Sequence, residues 1–280
     1  LVDPGDEVIV FEPFYENYGP DAILAGARPV FVPLEGIDWK LDPDKLRAAF
    51  SDKTRAIIVN TPHNPTGRVF TREEISLIAE LCIKHDVIAI TDEIYEHIRY
   101  AGSHHVLATW PGMRERTVTI SGLSKTFSCT GWRLGYAIAP GDISSPIRKV
   151  HGFLTVGAPA PLQAAGAIGM AFGTEYYNKM AMEYRERRDM MVSALSEAGF
   201  KFSAPEGAYY ILADFTELSD LRGVEFALWL AKEVGVATVP GTSFYHDPKL
   251  GEMVTRFAFC KKKKTLEQAA ERLAGITAKV

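Results

Sequence analysis

Over the first two thirds of the chain, short unbroken apolar runs alternate with helical patterns. The runs at 7–10, 29–32, 56–59, 87–91, 117–121 and 136–139 predict strands. Most lack polar alternation, as expected of strands covered on both faces. Thr71-Arg72-Glu73-Glu74 is a capping box, followed by Ile75, Ile78, Ala79 and Cys82 at helical spacing. Asp42-Pro43 reads as an N-cap with proline in the first helical position. Strands alternating with helices predict an α/β fold with a mainly parallel sheet flanked by helices.

From about residue 174 the pattern changes. A highly charged helix is predicted to residue 197, then short strands at 209–213, 236–239 and 256–259, with helices near 225–233 and 265–276. The expected organisation is a large domain over 1–175, a connecting helix over 176–198 and a smaller C-terminal α+β domain over 199–280. The lysine run 261–264 reads as the solvated approach to the last helix. The stretch 152–174 has no charged residue and is long enough to span a bilayer, but its glycines and prolines predict a buried turn leading into a helix.

Composition narrows the function. With 31 Lys+Arg against 35 Asp+Glu the net charge is −4, which gives no electrostatic reason to expect nucleic acid or a membrane as partner. Cys82, Cys129 and Cys260 are odd in number and far apart, which excludes a disulfide framework and fits a reducing, cytoplasmic setting. His104 and His105 are adjacent and cannot share a helical face, and there is no Cys-x-x-Cys or His-Glu-x-x-His, so no metal is expected. The P-loop, the Gly-x-Gly-x-x-Gly fingerprint and the Gly-x-Ser-x-Gly elbow are absent too.

What remains is a set of polar residues at predicted strand ends. Asn64 lies in TPHNPTG (61–67), Asp92 and Tyr95 in TDEIY (91–95), and Lys125 and Arg133 in SGLSKTFSCTGWRLGY (121–136). In an open parallel sheet the carboxyl ends of the strands line the ligand crevice. Three successive strands would thus deliver an amide, a carboxylate and an amine to one edge. Pyridoxal 5'-phosphate accounts for that combination, since it needs a lysine for its Schiff base and an acid for its ring nitrogen.

These motifs resemble the class I/II aminotransferases, the fold type I pyridoxal phosphate enzymes. PGDEVIVFEPFYENY (4–18), PEGAYYILADF (205–215), VPGTSFY (239–245) and TRFAF (255–259) match in the same order. The resemblance implies that Lys125 carries the cofactor, that Asp92 pairs with its ring nitrogen, and that Tyr95 and Asn64 bond its phenolate oxygen. It implies further that Arg133 binds the phosphate, that Tyr15 stacks on the ring, and that Arg256 grips the substrate carboxylate in a bidentate pair. Gly122 stands where many relatives have a phosphate-binding serine, which leaves Ser121 or Ser124 as substitutes. The arginine-free run 157–161 departs from dicarboxylate-specific relatives.

The implied activity is amino-group transfer between an L-amino acid and a 2-oxo acid, in a homodimer. Alternatives on the same scaffold are a C–S β-lyase, an aminocyclopropane carboxylate synthase-like enzyme and a non-catalytic effector-binding domain. The resemblance also implies that roughly a hundred residues, about one domain's worth, precede Leu1 in relatives. The 280-residue chain on its own is therefore expected to bind the cofactor poorly and to be inactive.

Overall fold

The computed structural model describes residues 1–276; the last residues of the expected small domain, 277–280, lie outside it. Its larger sheet contains β1 (Glu7–Glu12), β2 (Arg28–Glu35), β3 (Lys40–Leu41), β4 (Thr54–Asn60), β5 (Ile88–Asp92), β6 (Thr117–Gly122) and β7 (Gly135–Ile138), in the order β3-β2-β1-β4-β5-β6-β7. Strands β2, β1, β4, β5 and β6 are parallel, while β3 and β7 close the two edges antiparallel.

The unbroken apolar runs follow from coverage on both faces. Ile9 and Phe11 of β1 enter one core with Ile57 and Val59, while Val8 and Val10 enter another with Phe14 and Ala56. On the first face lie α2 (Pro43–Ala49) and α3 (Arg72–His85); α1 (Tyr18–Leu24) contributes Ala22 to the second. Both predicted caps form. Asp42 accepts from Asp44 and Lys45 backbone N–H groups, and Thr71 and Glu74 make the reciprocal capping box. Ile75, Ile78 and Cys82 are fully buried on α3, each aliphatic side chain there worth about 1.5–3 kcal/mol.

Beyond β6 come a single turn, α4 (Leu123–Thr126), and then α5 (Gly141–Thr155), α6 (Ala160–Met170) and the long α7 (Thr174–Glu197). The smaller sheet is antiparallel, with β8 (Tyr210–Asp214), β9 (Val239–Pro240) and β10 (Val254–Ala258) in the order β8-β10-β9. The helices α8 (Gly223–Trp229) and α9 (Lys263–Leu273) accompany it, and α7 packs against α9. Lys261–Lys264 are exposed at the start of α9, as expected.

Two expectations need correction. The strand expected at 236–239 is reduced to the pair Val239–Pro240, which faces Arg256 and Thr255 of β10. The stretch 152–174 is neither buried nor a turn at its start: α5 runs on to Thr155, and Phe153, Leu154 and Val156 are 85%, 77% and 90% exposed. Its apolar composition belongs to an uncovered surface strip that continues through Ile168 and Met170. Among the described residues no helix is long and apolar enough to cross a membrane.

Candidate active site

The carboxyl ends of β4, β5 and β6 lie side by side, with Asn60 in register with Asp92 and Asp92 with Ile120. A cavity of about 240 Å³ opens there. Tyr15, Asn64, Asp92, Tyr95, Ser124, Lys125 and Arg133 all line it. Arg256, from the middle of β10, reaches the same place, and its Nη1 donates to Asn64 Oδ1 at 2.7 Å. The structure thus gathers these eight sequence-predicted residues around one cavity, and leaves Ser121 outside it. A larger cavity of about 700 Å³, lined by residues such as Trp110, Arg114 and Ile138, contains none of them.

Each residue has a local reason for its position. Asp92 terminates β5; its Oδ1 accepts from the Ile94 backbone N–H at 3.1 Å and its Oδ2 from the Tyr18 hydroxyl at 2.6 Å. Burial raises its pKa, opposed by those two bonds and by Lys125. Lys125 sits on α4 directly after β6, and its pKa is lowered, first by burial and also by Arg133 and Arg256. Tyr95 is buried, which raises its pKa and keeps its hydroxyl a proton donor.

The Lys125–Arg133 segment is held in an unusual shape. Ser128 and Arg133 have φ of 52° and 53°, in the left-handed region that ordinary side chains avoid. Such strain concentrates at functional sites. At Gly122 a Cβ would meet Leu134 O at 3.0 Å and Gly135 Cα at 3.1 Å, so β7 leaves little room for a serine. Of the two proposed substitutes, Ser121 is committed elsewhere, donating to Glu96 Oε1 at 2.9 Å, while Ser124 faces the cavity. Ser121 therefore drops out.

Asn60, Tyr18, Tyr210 and Phe244 also belong to this arrangement, although none was expected from the sequence. Asn60 ends β4 just as Asp92 ends β5, so the same strand-end signal could have found it. Its Nδ2 donates to Asp92 O at 2.8 Å and its Oδ1 accepts from Asn64 N–H at 2.7 Å, which fixes the TPHNPTG turn. Tyr18 opens α1 below Tyr15, the two rings 5.6 Å apart. The Arg256 guanidinium carbon lies 4.4 Å from the Tyr210 ring centroid and 4.6 Å from that of Phe244. Gly67 brings Tyr210 near. A Cβ at Gly67 would lie 2.8 Å from Tyr210 O, and Gly67 O accepts from Glu206 and Gly207 N–H.

The carboxylate next in sequence is used differently. Glu93 pairs with His104 Nε2 at 2.5 Å and with the Thr91 hydroxyl at 2.9 Å, and Glu96 lies close enough to bring the three ligand-type groups within 4.8 Å of one another. These protein donors already satisfy Glu93.

The family model for aminotransferase class I and II matches residues 1–273. Kynurenine–oxoglutarate transaminase 3 of Rattus norvegicus is 41% identical over 97% of this chain, which spans 66% of that protein. Methionine aminotransferase of Escherichia coli is 39% identical over 98% of this chain and 71% of its own length. The solved N-succinyldiaminopimelate aminotransferase from Mycobacterium tuberculosis superposes with a TM-score of 0.94 at 38% identity, covering 99% of this chain and 73% of that one. With the strand-end site already assembled, these matches show that the chain belongs to the aminotransferase class I and II family.

Proposed function

We propose that the protein is a pyridoxal 5'-phosphate-dependent aminotransferase, moving an amino group between an L-amino acid and a 2-oxo acid. The observation that carries this is the placement of Lys125 and Asp92 on one small cavity, with Arg256 bonded to Asn64 beside it. The donor set suits the cofactor. Among the described residues Asp92 has no cation hydrogen-bonded to it, so a protonated ring nitrogen would complete it. Among the described residues the Arg256 Nε is buried with no hydrogen-bond partner, which suits a substrate carboxylate.

When bound, the cofactor supplies a conjugated pyridinium ring that draws electrons from the substrate's Cα. Lys125 would hold it and, once displaced by substrate, move the Cα proton with its Nζ; the lowered pKa favours a neutral, basic amine. Asp92 would hold the ring nitrogen's proton, oriented by Tyr18. Tyr95 and the Nδ2 of Asn64 would donate to the phenolate oxygen. Arg133 and Ser124 would take the phosphate, Tyr15 would stack on the ring, and Arg256 would bind the substrate carboxylate.

This reading includes a homodimer, supported by the exposed apolar strip at Phe153, Leu154 and Val156. The cytoplasm is the compartment, supported by three unpaired thiols. The domain division at 175 and 198 is supported by two separate sheets flanking α7. The test is a panel of amino acids with 2-oxoglutarate and pyruvate, using the protein at its natural length. Glutamate or alanine formation is expected; release of ammonia and pyruvate from a donor would instead mark an elimination.

A further inference from the structure

Tyr210 occupies a place that core packing alone does not explain. Its neighbour Tyr209 stacks on Tyr184 in the interior, whereas Tyr210 faces the cavity of Lys125. The Tyr210 hydroxyl lies 3.1 Å from the Tyr95 hydroxyl, and its ring lies 4.4 Å from the Arg256 guanidinium carbon. One side chain thus touches both the group that would serve the cofactor's phenolate and the group that would hold the substrate's carboxylate.

We infer that Tyr210 is a positioning residue for both: its hydroxyl donates to Tyr95 and so turns the Tyr95 proton toward the cavity, while its ring holds Arg256 in place. The inference rests on the pyridoxal phosphate reading of the site. A hydroxyl has one proton. If Tyr210 gives its proton to the Tyr95 oxygen, the Tyr95 proton is free for another acceptor, and a hydroxyl that accepts one bond donates a stronger one. A stronger donor to the phenolate oxygen makes that oxygen a poorer partner for the Lys125 Nζ proton. Nζ then loses its proton at lower pH. Asp92, Arg133, Arg256 and Cys260 also act on Lys125, and Tyr209 faces Tyr95 beside Tyr210. All of them are retained when one oxygen is removed from Tyr210.

The experiment is a pH titration of the visible absorbance of the pyridoxal phosphate-loaded protein at its natural length. Tyr210→Phe should raise the midpoint by about 0.5 pH unit, roughly threefold in the dissociation constant. Tyr95→Phe, which removes the donor itself, should raise it further. Tyr210→Leu, which also removes the ring from Arg256, should raise the KM for the amino donor more than Tyr210→Phe does. If wild type and Tyr95→Phe titrate apart but Tyr210→Phe titrates with wild type, the inference fails and the cofactor reading stands. If wild-type protein develops no visible band, both fall together.

Discussion

Helix α3 and the segment from Gly122 to Gly135 are both reached from strands of the same sheet, yet they are built on opposite rules. In α3 every local signal agrees: a capping box starts it, Ile75, Ile78 and Cys82 fill one buried face, and Asp86 ends it in the left-handed conformation. After β6 the local signals conflict. The helix stops after one turn, Ser128 and Arg133 adopt positive φ, and Lys125 is half-buried with its pKa lowered. The first region is shaped by its own stability. On the proposed function, the second is shaped by the groups it presents to the cavity.

The contrast predicts that substitutions will separate activity from stability. The largest effect is expected at Lys125. Lys125→Ala should lower transamination by about 10³-fold or more while changing stability by no more than about 1 kcal/mol. Multiple turnovers at near wild-type rate, or a collapse of the fold, would break the comparison from the site's side.

Next comes His63, which belongs to the scaffold although it sits in the TPHNPTG turn. Burial lowers its pKa to about 3, and its Nδ1 pairs with the Thr66 hydroxyl at 2.8 Å. The unfolded chain therefore binds a proton below about pH 6.5 that the folded chain refuses. Stability should fall by about 1.4 kcal/mol per pH unit from this residue as pH drops from 6.5 toward 3. Denaturant melts at a series of pH values should show the slope reduced by that amount in His63→Asn. An unchanged slope would show the ring protonated when folded.

A smaller effect is expected at Tyr18. Tyr18→Phe removes one bond to a buried carboxylate, worth about 1.5 kcal/mol at the low end. Cofactor affinity measured by fluorescence quenching should weaken about tenfold, with the melting temperature nearly kept. Equal affinity would mean that Asp92 needs no help from α1. The smallest is Thr71→Ala at the cap of α3, expected to cost about 1 kcal/mol of stability with unchanged kinetics. A kinetic effect there would mean that the scaffold and the site are not separable.

The same contrast explains what could be read from the sequence. Strands β1, β2, β4, β5 and β6 were legible because burial on both faces forces apolar runs, and α3 because its cap and its face carry fixed spacings. Asp92, Asn64, Lys125 and Arg133 were legible as polar residues at strand ends. Tyr18 and Tyr210 were not, because an aromatic residue beside an apolar run looks the same whether its hydroxyl is used or not. Only the fold brings Tyr18 onto Asp92 and Tyr210 onto Tyr95. The strip at 152–174 misled for a related reason: apolar composition marks a surface to be covered, without saying by what.

The central claim is that Lys125 carries the cofactor. Reduction of the pyridoxal phosphate-loaded protein with borohydride, followed by digestion and mass spectrometry, tests it directly. A reduced pyridoxyl adduct is expected on the peptide containing Lys125, and none at that position in Lys125→Ala. An adduct confined to another lysine, or no adduct at all in the wild-type protein at its natural length, would contradict it.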